Sequence, residues 1–158
     1  MMGQDGSSLT WARLDGGEVV MRDFPGDCLV ALNSTGDWYL TSPHDQDRFA
    51  IREFATGTVL RSRSQDEVTA PVVDDEYDLG FSLAMISDDL LVIGILDFNA
   101  DEDHERHALV DLTELRVVDV VEYGEPMPCE AIRPAGGTSQ WLTYTDDGSA
   151  KLWCLPTP

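Results

Sequence analysis

The sequence predicts an antiparallel all-β fold built from repeated four-stranded sheets. Three observations support this. First, a short pattern recurs four times, in which a strand ends in an apolar anchor residue. In the first three copies a tight turn and a second strand follow. The anchors are Leu14, Phe54, Leu112 and Leu155. Second, segments rich in Val, Ile, Leu, Trp and Tyr are separated by closely spaced turn signals. Third, no stretch shows sustained helical periodicity with caps. Repetition of this kind is typical of stacked supersecondary units.

The first copy of the pattern, residues 10–20, predicts a hairpin around Asp15-Gly-Gly, and the second, residues 50–60, predicts one around Ala55-Thr-Gly. In the third copy, residues 108–118, Thr113-Glu-Leu aligns with these turns, so it is predicted to be a turn as well. The fourth copy, residues 151–158, contains only the first strand. Gly and polar residues at the aligned positions suit tight hairpin loops.

A second shared block precedes three of the anchors, at residues 28–41, 81–94 and 129–144. Each block is an apolar strand, a polar turn and another apolar strand. The complete unit therefore has four strands, here called A to D. The chain is predicted to form a single domain, 1–158, with units at about 9–23 (C–D), 27–63 (A–D), 79–122 (A–D) and 128–155 (A–C).

Two acidic segments lengthen the spacing between the second and third anchors. They are the connector Ser64 to Asp78 and the insertion Asp97 to Glu105. Both depart from the repeat, and binding residues favour loops held on a rigid scaffold. The predicted partner-binding residues are the acidic side chains of these two segments, namely Asp74, Asp75, Glu76, Asp101, Glu102 and Asp103.

The pattern resembles β-propeller repeats, most closely degenerate WD-repeats. Residues 141–155, with a strand, an Asp-Gly turn and a strand ending in Leu-Trp-Cys-Leu, are the best match. The chain departs from the family because no His precedes strand A and because the Trp-Asp ending is replaced by Glu53-Phe54, Asp111-Leu112 and Cys154-Leu155. The resemblance implies about three propeller-type blades, incomplete or closed by oligomerisation. It also implies a protein-interaction platform without catalysis of its own. A two-sheet sandwich or barrel is the alternative fold.

Charge limits the classes of partner. Thirty acidic residues against ten basic ones give a net charge of −20. Nucleic acid and anionic membrane surfaces are poor partners for such a chain because both require clustered Lys and Arg. A basic protein partner or adaptation to the host explains the charge. The N-terminal residues show no secretory signal, so a cytoplasmic location is expected.

The sequence predicts no catalytic residues, no cofactor and no metal. Cys28, Cys129 and Cys154 are odd in number and show no Cys-x-x-Cys spacing. Alternating oxygen ligands between Asp97 and Glu105 resemble a calcium loop, but the Gly and Glu that such a loop needs are replaced by Glu102 and Ala108. A solvated loop is the preferred interpretation.

Two functional hypotheses follow. The first is a non-catalytic protein–protein interaction scaffold that forms a homo-oligomer or binds a partner completing the propeller. The second is an acidic inhibitor or immunity-type protein that neutralises a basic effector such as a nuclease.

Overall fold

The computed structural model describes residues 8–25, 27–43, 47–69, 77–97, 104–123, 127–128, 132–135, 139–144 and 148–155. The chain divides into two compact units, residues 1–62 and residues 63–158. The single domain 1–158 and its four repeat units stay a prediction. Among the described residues, no helix is long and apolar enough to cross a membrane.

Strands make up most of the described residues, with one short helix, α1 (Gln65–Thr69). In chain order the strands are β1 (Ser8–Asp15), β2 (Glu18–Pro25), β3 (Asp27–Leu32), β4 (Trp38–Pro43), β5 (Arg48–Glu53), β6 (Val59–Ser64), β7 (Tyr77–Met85), β8 (Leu90–Asp97), β9 (His104–Asp111), β10 (Arg116–Val121), β11 (Met127–Pro128), β12 (Ile132–Pro134), β13 (Gln140–Tyr144) and β14 (Ala150–Cys154).

The predicted fold class is confirmed. Strands β3 to β6 form one four-stranded sheet in chain order, and β7 to β10 form another. Strand β11 pairs with β9 beyond the end of β10. Strands β12 to β14 form a three-stranded sheet and β1 with β2 a two-stranded one. The strand pairs with a determined register are all antiparallel, as in propeller-type blades.

Three of the four repeat anchors make the same backbone hydrogen bond. The backbone N–H of Phe54 donates to the carbonyl of Asp37 (2.7 Å), and the N–H of Leu112 donates to the carbonyl of Asp89 (2.8 Å). In the last unit, the N–H of Leu155 donates to the carbonyl of Ser139 (2.9 Å). Each anchor thus ties the end of strand C to the turn before strand B. The sequence alignment therefore reflects a repeated hydrogen bond.

The hairpin turns also follow the repeat. Gly16 and Gly17 connect β1 and β2 with positive φ angles of 59° and 90°, as a two-residue type I′ turn requires. Gly57, aligned with Gly17, has φ 74° before β6. The aligned residue before β10 is Leu115, with φ 50° and its side chain buried. The predicted turn at Thr113 to Leu115 is confirmed.

Helix α1 begins with a reciprocal cap. The Glu67 carboxylate accepts hydrogen bonds from the Ser64 backbone N–H (2.9 Å) and hydroxyl (3.2 Å), and the Glu67 N–H donates to the Ser64 hydroxyl. This is the capping-box arrangement of a Ser and a Glu three residues later. The hydrogen bond from the Ser64 backbone N–H, and to a smaller extent the one from the Ser64 hydroxyl, stabilises the Glu67 carboxylate. Together they hold the pKa of Glu67 below its usual value.

The core of the second unit lies between two sheets. Ala84, Ile86 and Val92, from β7, the turn after it and β8, are buried in one cluster with Ile132 and Trp141 of the three-stranded sheet. Half-buried residues pack around this cluster, namely Leu90, Leu109, Val121, Tyr123, Trp153 and Leu155. Packing between neighbouring sheets is therefore the role of Trp141 and Trp153.

Candidate interaction surface

Within the described residues, the smallest of the sheets that contain more than two strands is β12–β14. In the sheets β3–β6 and β7–β10, a fourth strand covers the outer side of the third strand. In the sheet β12–β14, the third strand, β14, is the last one within the described residues. Among the described strands, only β13 pairs with β14. An outer strand is a template for an added strand.

The register identifies which backbone groups lie on the side of β14 away from β13. Ser139 accepts from the N–H of Leu155, and β13 and β14 are paired so that Trp141 lies opposite Trp153. Hydrogen-bonded and non-hydrogen-bonded pairs alternate along an antiparallel ladder. Trp153 therefore directs its N–H and C=O toward β13, whereas Leu152 and Cys154 direct theirs outward. An incoming strand would pair with these two residues.

The three strands of this sheet carry no acidic side chain, although Asp146 and Asp147 lie between β13 and β14 in the sequence. Leu152 is 56% exposed, and Leu142, its cross-strand partner on β13, is half-buried. Residues 131–145 and 148–158 contain no Asp or Glu, and their charged side chains are Arg133 and Lys151.

The outer strands of the larger sheets are less suited to pairing. Strand β10 has a register shift between Val117 and Asp119. A bulge and a charged side chain on an outer strand both oppose pairing with a further strand. Strand β6 exposes Val59 and Leu60 but also carries Arg61 and Arg63. Both strands already complete a four-stranded sheet.

A charged network stabilises the first unit. The guanidinium of Arg52 on β5 contacts the Asp27 carboxylate at 2.6 Å, donates to the carbonyl of Gly57 (3.2 Å) and donates to the Thr41 hydroxyl (3.3 Å). The side chains of Arg52 and Asp27 are only 19% and 12% exposed. One guanidinium therefore joins β3, β4 and the turn before β6. Its donors are engaged within the sheet, so we assign it a structural role.

A second network lies in the other unit, around the Tyr123 hydroxyl. The indole Nε1–H of Trp141 donates to this hydroxyl at 2.8 Å, and His107 Nδ1 lies 2.8 Å from it. The Trp153 ring meets the Tyr123 ring at 4.6 Å between centroids, and Trp153 Nε1–H donates to the Thr143 hydroxyl. Because an indole is only a donor, the Tyr123 oxygen accepts from Trp141.

The six predicted partner-binding residues, Asp74, Asp75, Glu76, Asp101, Glu102 and Asp103, lie outside the described residues, so their role stays a prediction. The candidate calcium segment between Asp97 and Glu105 lies largely outside them too. Within the part of the chain that the structure describes, no group of three or more His, Cys, Asp or Glu side chains could hold a metal ion. His107 is fully buried, against Tyr123. Cys28 is half-buried and Cys154 is exposed.

Sequence reasoning missed the Arg52 and Tyr123 networks. Asp27 and Arg52 are 25 residues apart, and Tyr123 and Trp141 are 18 apart. Neither spacing belongs to a local motif.

Comparisons with known proteins add a fold likeness. No protein-family model matches the chain, and no curated protein matches it. Among solved structures, the chain is similar to the β-propeller domain of Cps50 (Swd1) from Myceliophteria thermophila, with 11% identity and a TM-score of 0.41. The match covers 92% of this chain and 63% of that domain, so the chain spans less than two thirds of its length.

Proposed function

We propose that this protein is a non-catalytic protein–protein interaction scaffold, a partial β-propeller subunit that acts in the cytoplasm. One observation carries the proposal: among the described strands β14 is an outer strand of its sheet, and its Leu152 side chain is 56% exposed. Strand addition to an open edge is a common mode of recognition, in which main-chain hydrogen bonds give affinity and alternate side chains give specificity.

The buried polar groups support a structural rather than a catalytic role for the strands. The side chains of Arg52, Asp27, Tyr123 and Trp141 hydrogen-bond one another or the backbone within their own units. The proposal therefore assigns no catalytic residue and no cofactor. It requires only that a partner, or a second copy, covers β14 and the exposed apolar side chains beside it.

The proposal predicts association in solution. Light scattering coupled to size exclusion at micromolar concentration should give a mass above the 17.5 kDa of one chain, as a homo-oligomer or a complex with the captured partner. Leu152→Lys should weaken this association, because an edge lysine opposes strand pairing. A strictly monomeric, monodisperse species that captures no partner from its host would refute the proposal.

Val118→Lys is the matched control for this experiment. Val118 is 45% exposed on the outer strand β10, so the substitution makes the same chemical change on another edge. It should leave association unchanged. Equal loss in both variants would assign the effect to added charge and would remove β14 from the proposal.

A second candidate function is an acidic inhibitor or immunity-type protein for a basic effector such as a nuclease. The net charge of −20 favours it. Complementary charge chiefly raises the association rate and selects the partner. Salt screens such attraction over a Debye length of about 8 Å at physiological ionic strength.

We predict that association with a basic partner slows steeply with added salt. We also predict that exchange of six acids for their amides weakens it without unfolding the protein; the six are Asp74, Asp75, Glu76, Asp101, Glu102 and Asp103. Stopped-flow or surface-plasmon measurements of the association rate at several salt concentrations test both.

A control variant with the same charge change distinguishes these segments from net charge. It neutralises six exposed acids elsewhere, namely Glu18, Asp47, Asp66, Asp89, Glu114 and Glu122. If both variants lose the same amount, the total charge governs association. If the first variant binds as the unmodified protein does, the interface lies elsewhere, and the charge reflects adaptation to the host.

A further inference from the structure

We infer that an apolar face of the sheet β12–β14 packs against an apolar face of the β1–β2 hairpin of a second copy. The inference rests on the proposed interaction role and names the two surfaces and their occupant. Side chains of sheet faces, rather than the backbone of a strand edge, make this contact. Because the two surfaces differ, the contact between copies is heterologous.

The first surface, called here the outer face, consists of Arg133, Leu142, Tyr144 and Leu152. Leu142 is the cross-strand partner of both Arg133 and Leu152, and Tyr144 lies two residues further along β13, so all four share one side of the sheet. Leu152 is 56% exposed and Tyr144 is 40% exposed. Trp141 lies on the opposite side of the sheet and is buried in the cluster with β7 and β8.

The repeat shows that equivalent positions are covered elsewhere in the chain. Leu142 and Leu152 each lie three residues from the backbone hydrogen bond of their anchor, and Val92 and Leu109 lie three residues from the corresponding bond of theirs. Both pairs are cross-strand partners. Val92 is 0% exposed and Leu109 is half-buried, in the same cluster as Trp141 of the neighbouring sheet. One sheet face therefore covers another at these positions in β7–β10, whereas the outer face is exposed.

The second surface, called here the hairpin face, consists of Ala12, Val19 and Met21. Ala12 is the cross-strand partner of Met21, and Val19 lies two residues before Met21, so the three share one side of the hairpin. Val19 and Met21 are each 63% exposed, and Ala12 is exposed as well. A two-stranded sheet has little stability unless another layer packs on it. Face-to-face sheets pack about 10 Å apart, a distance that apolar side chains of this size fill.

Charge favours this mixed contact over contact between two identical faces. Arg133 lies on the outer face, so two outer faces would bring two guanidinium groups together. The sequence between β13 and β14 adds Asp146 and Asp147, which balance Arg133 and Lys151, so residues 132–154 are neutral. The hairpin strands contain three acids and two arginines, so two hairpins would bring net negative charge together. The outer face with the hairpin face avoids both like-charge contacts.

Complementation between two variants tests the contact. Leu152→Lys alters the outer face and Met21→Lys the hairpin face. Each should weaken self-association roughly tenfold or more, because an ammonium group would be buried in an apolar contact. Each variant retains the surface that the other has lost. An equimolar mixture, followed by light scattering over a concentration series, should therefore form a species of two chains, although each variant alone has the mass of one chain. A contact between identical faces cannot be restored in this way.

Leu60→Lys is the matched control, because Leu60 is 58% exposed on β6, and it should leave association unchanged. Tyr144→Lys with Val19→Lys is a second pair on the same two faces and should show the same complementation. Self-association that survives Met21→Lys, or a mixture of either pair that keeps the mass of one chain, overturns the inference. If such a protein still captures a host partner that Leu152→Lys releases, the interaction role is preserved. A monomer that captures nothing removes both.

Discussion

Replacing Arg52 by methionine is expected to lower the free energy of unfolding by about 3 kcal/mol, the low end of the range for removing one partner of a buried ion pair. The Asp27 carboxylate, 12% exposed, loses the guanidinium that contacts it at 2.6 Å. The carbonyl of Gly57 and the hydroxyl of Thr41 lose a donor as well. Urea unfolding followed by circular dichroism measures the change.

Arg48→Met is the control for this substitution. Arg48 begins the same strand, β5, but its side chain is exposed, so the change should stay within about 0.5 kcal/mol, as for most surface positions. The double variant Asp27→Leu with Arg52→Met should recover part of the loss, because no uncompensated charge remains in the sheet. Similar values for Arg52→Met and Arg48→Met would show that the network contributes little to stability.

The sequence predicts the sheets well because their signals are local and repeated. Each anchor has the same backbone bond in three units, so matching residues report matching geometry. The repeat also predicts the turn at Leu115, although this copy has no glycine at the aligned position. Its positive φ of 50° strains a leucine, and burial of that side chain offsets the strain. Alignment to Gly17 and Gly57, rather than residue propensity, predicts that turn.

Other features depend on packing that no local pattern encodes. The Arg52 network joins residues from three strands and a turn, and an arginine in an alternating strand predicts only a solvated side chain. The acidic connector begins with helix α1. The sequence shows the Ser and Glu of its capping box, Ser64 and Glu67, at the expected spacing. The sequence pattern does not predict this helix, because its five residues are too few for a periodic apolar signal. For the candidate site, the repeat places a strand at β14, but the outward direction of the Leu152 backbone groups follows only from the register of β13 and β14.

The substitution Tyr123→Phe is expected to lower the free energy of unfolding by about 2–3 kcal/mol, since a buried polar group that loses its partner costs about 1–3 kcal/mol. The phenol oxygen is the acceptor for Trp141 Nε1–H and lies 2.8 Å from His107 Nδ1. Both of these residues are buried, with Trp141 2% and His107 0% exposed, so water cannot readily replace the hydroxyl. The phenylalanine ring keeps the contact with Trp153 and nearly the same volume. The loss therefore reports the hydroxyl rather than a cavity, and thermal or urea unfolding measures it.

Tyr144→Phe is the matched control, because Tyr144 is 40% exposed on β13 and its hydroxyl should contribute less than about 0.5 kcal/mol. Trp141 supplies a second readout, since tryptophan fluorescence should change in Tyr123→Phe when the indole N–H loses this acceptor. Trp141→Phe in the Tyr123→Phe background should then cost less than Trp141→Phe alone, because the two residues share one hydrogen bond. Additive losses would mean that the bond between Trp141 and Tyr123 does not hold the two sheets of this unit together.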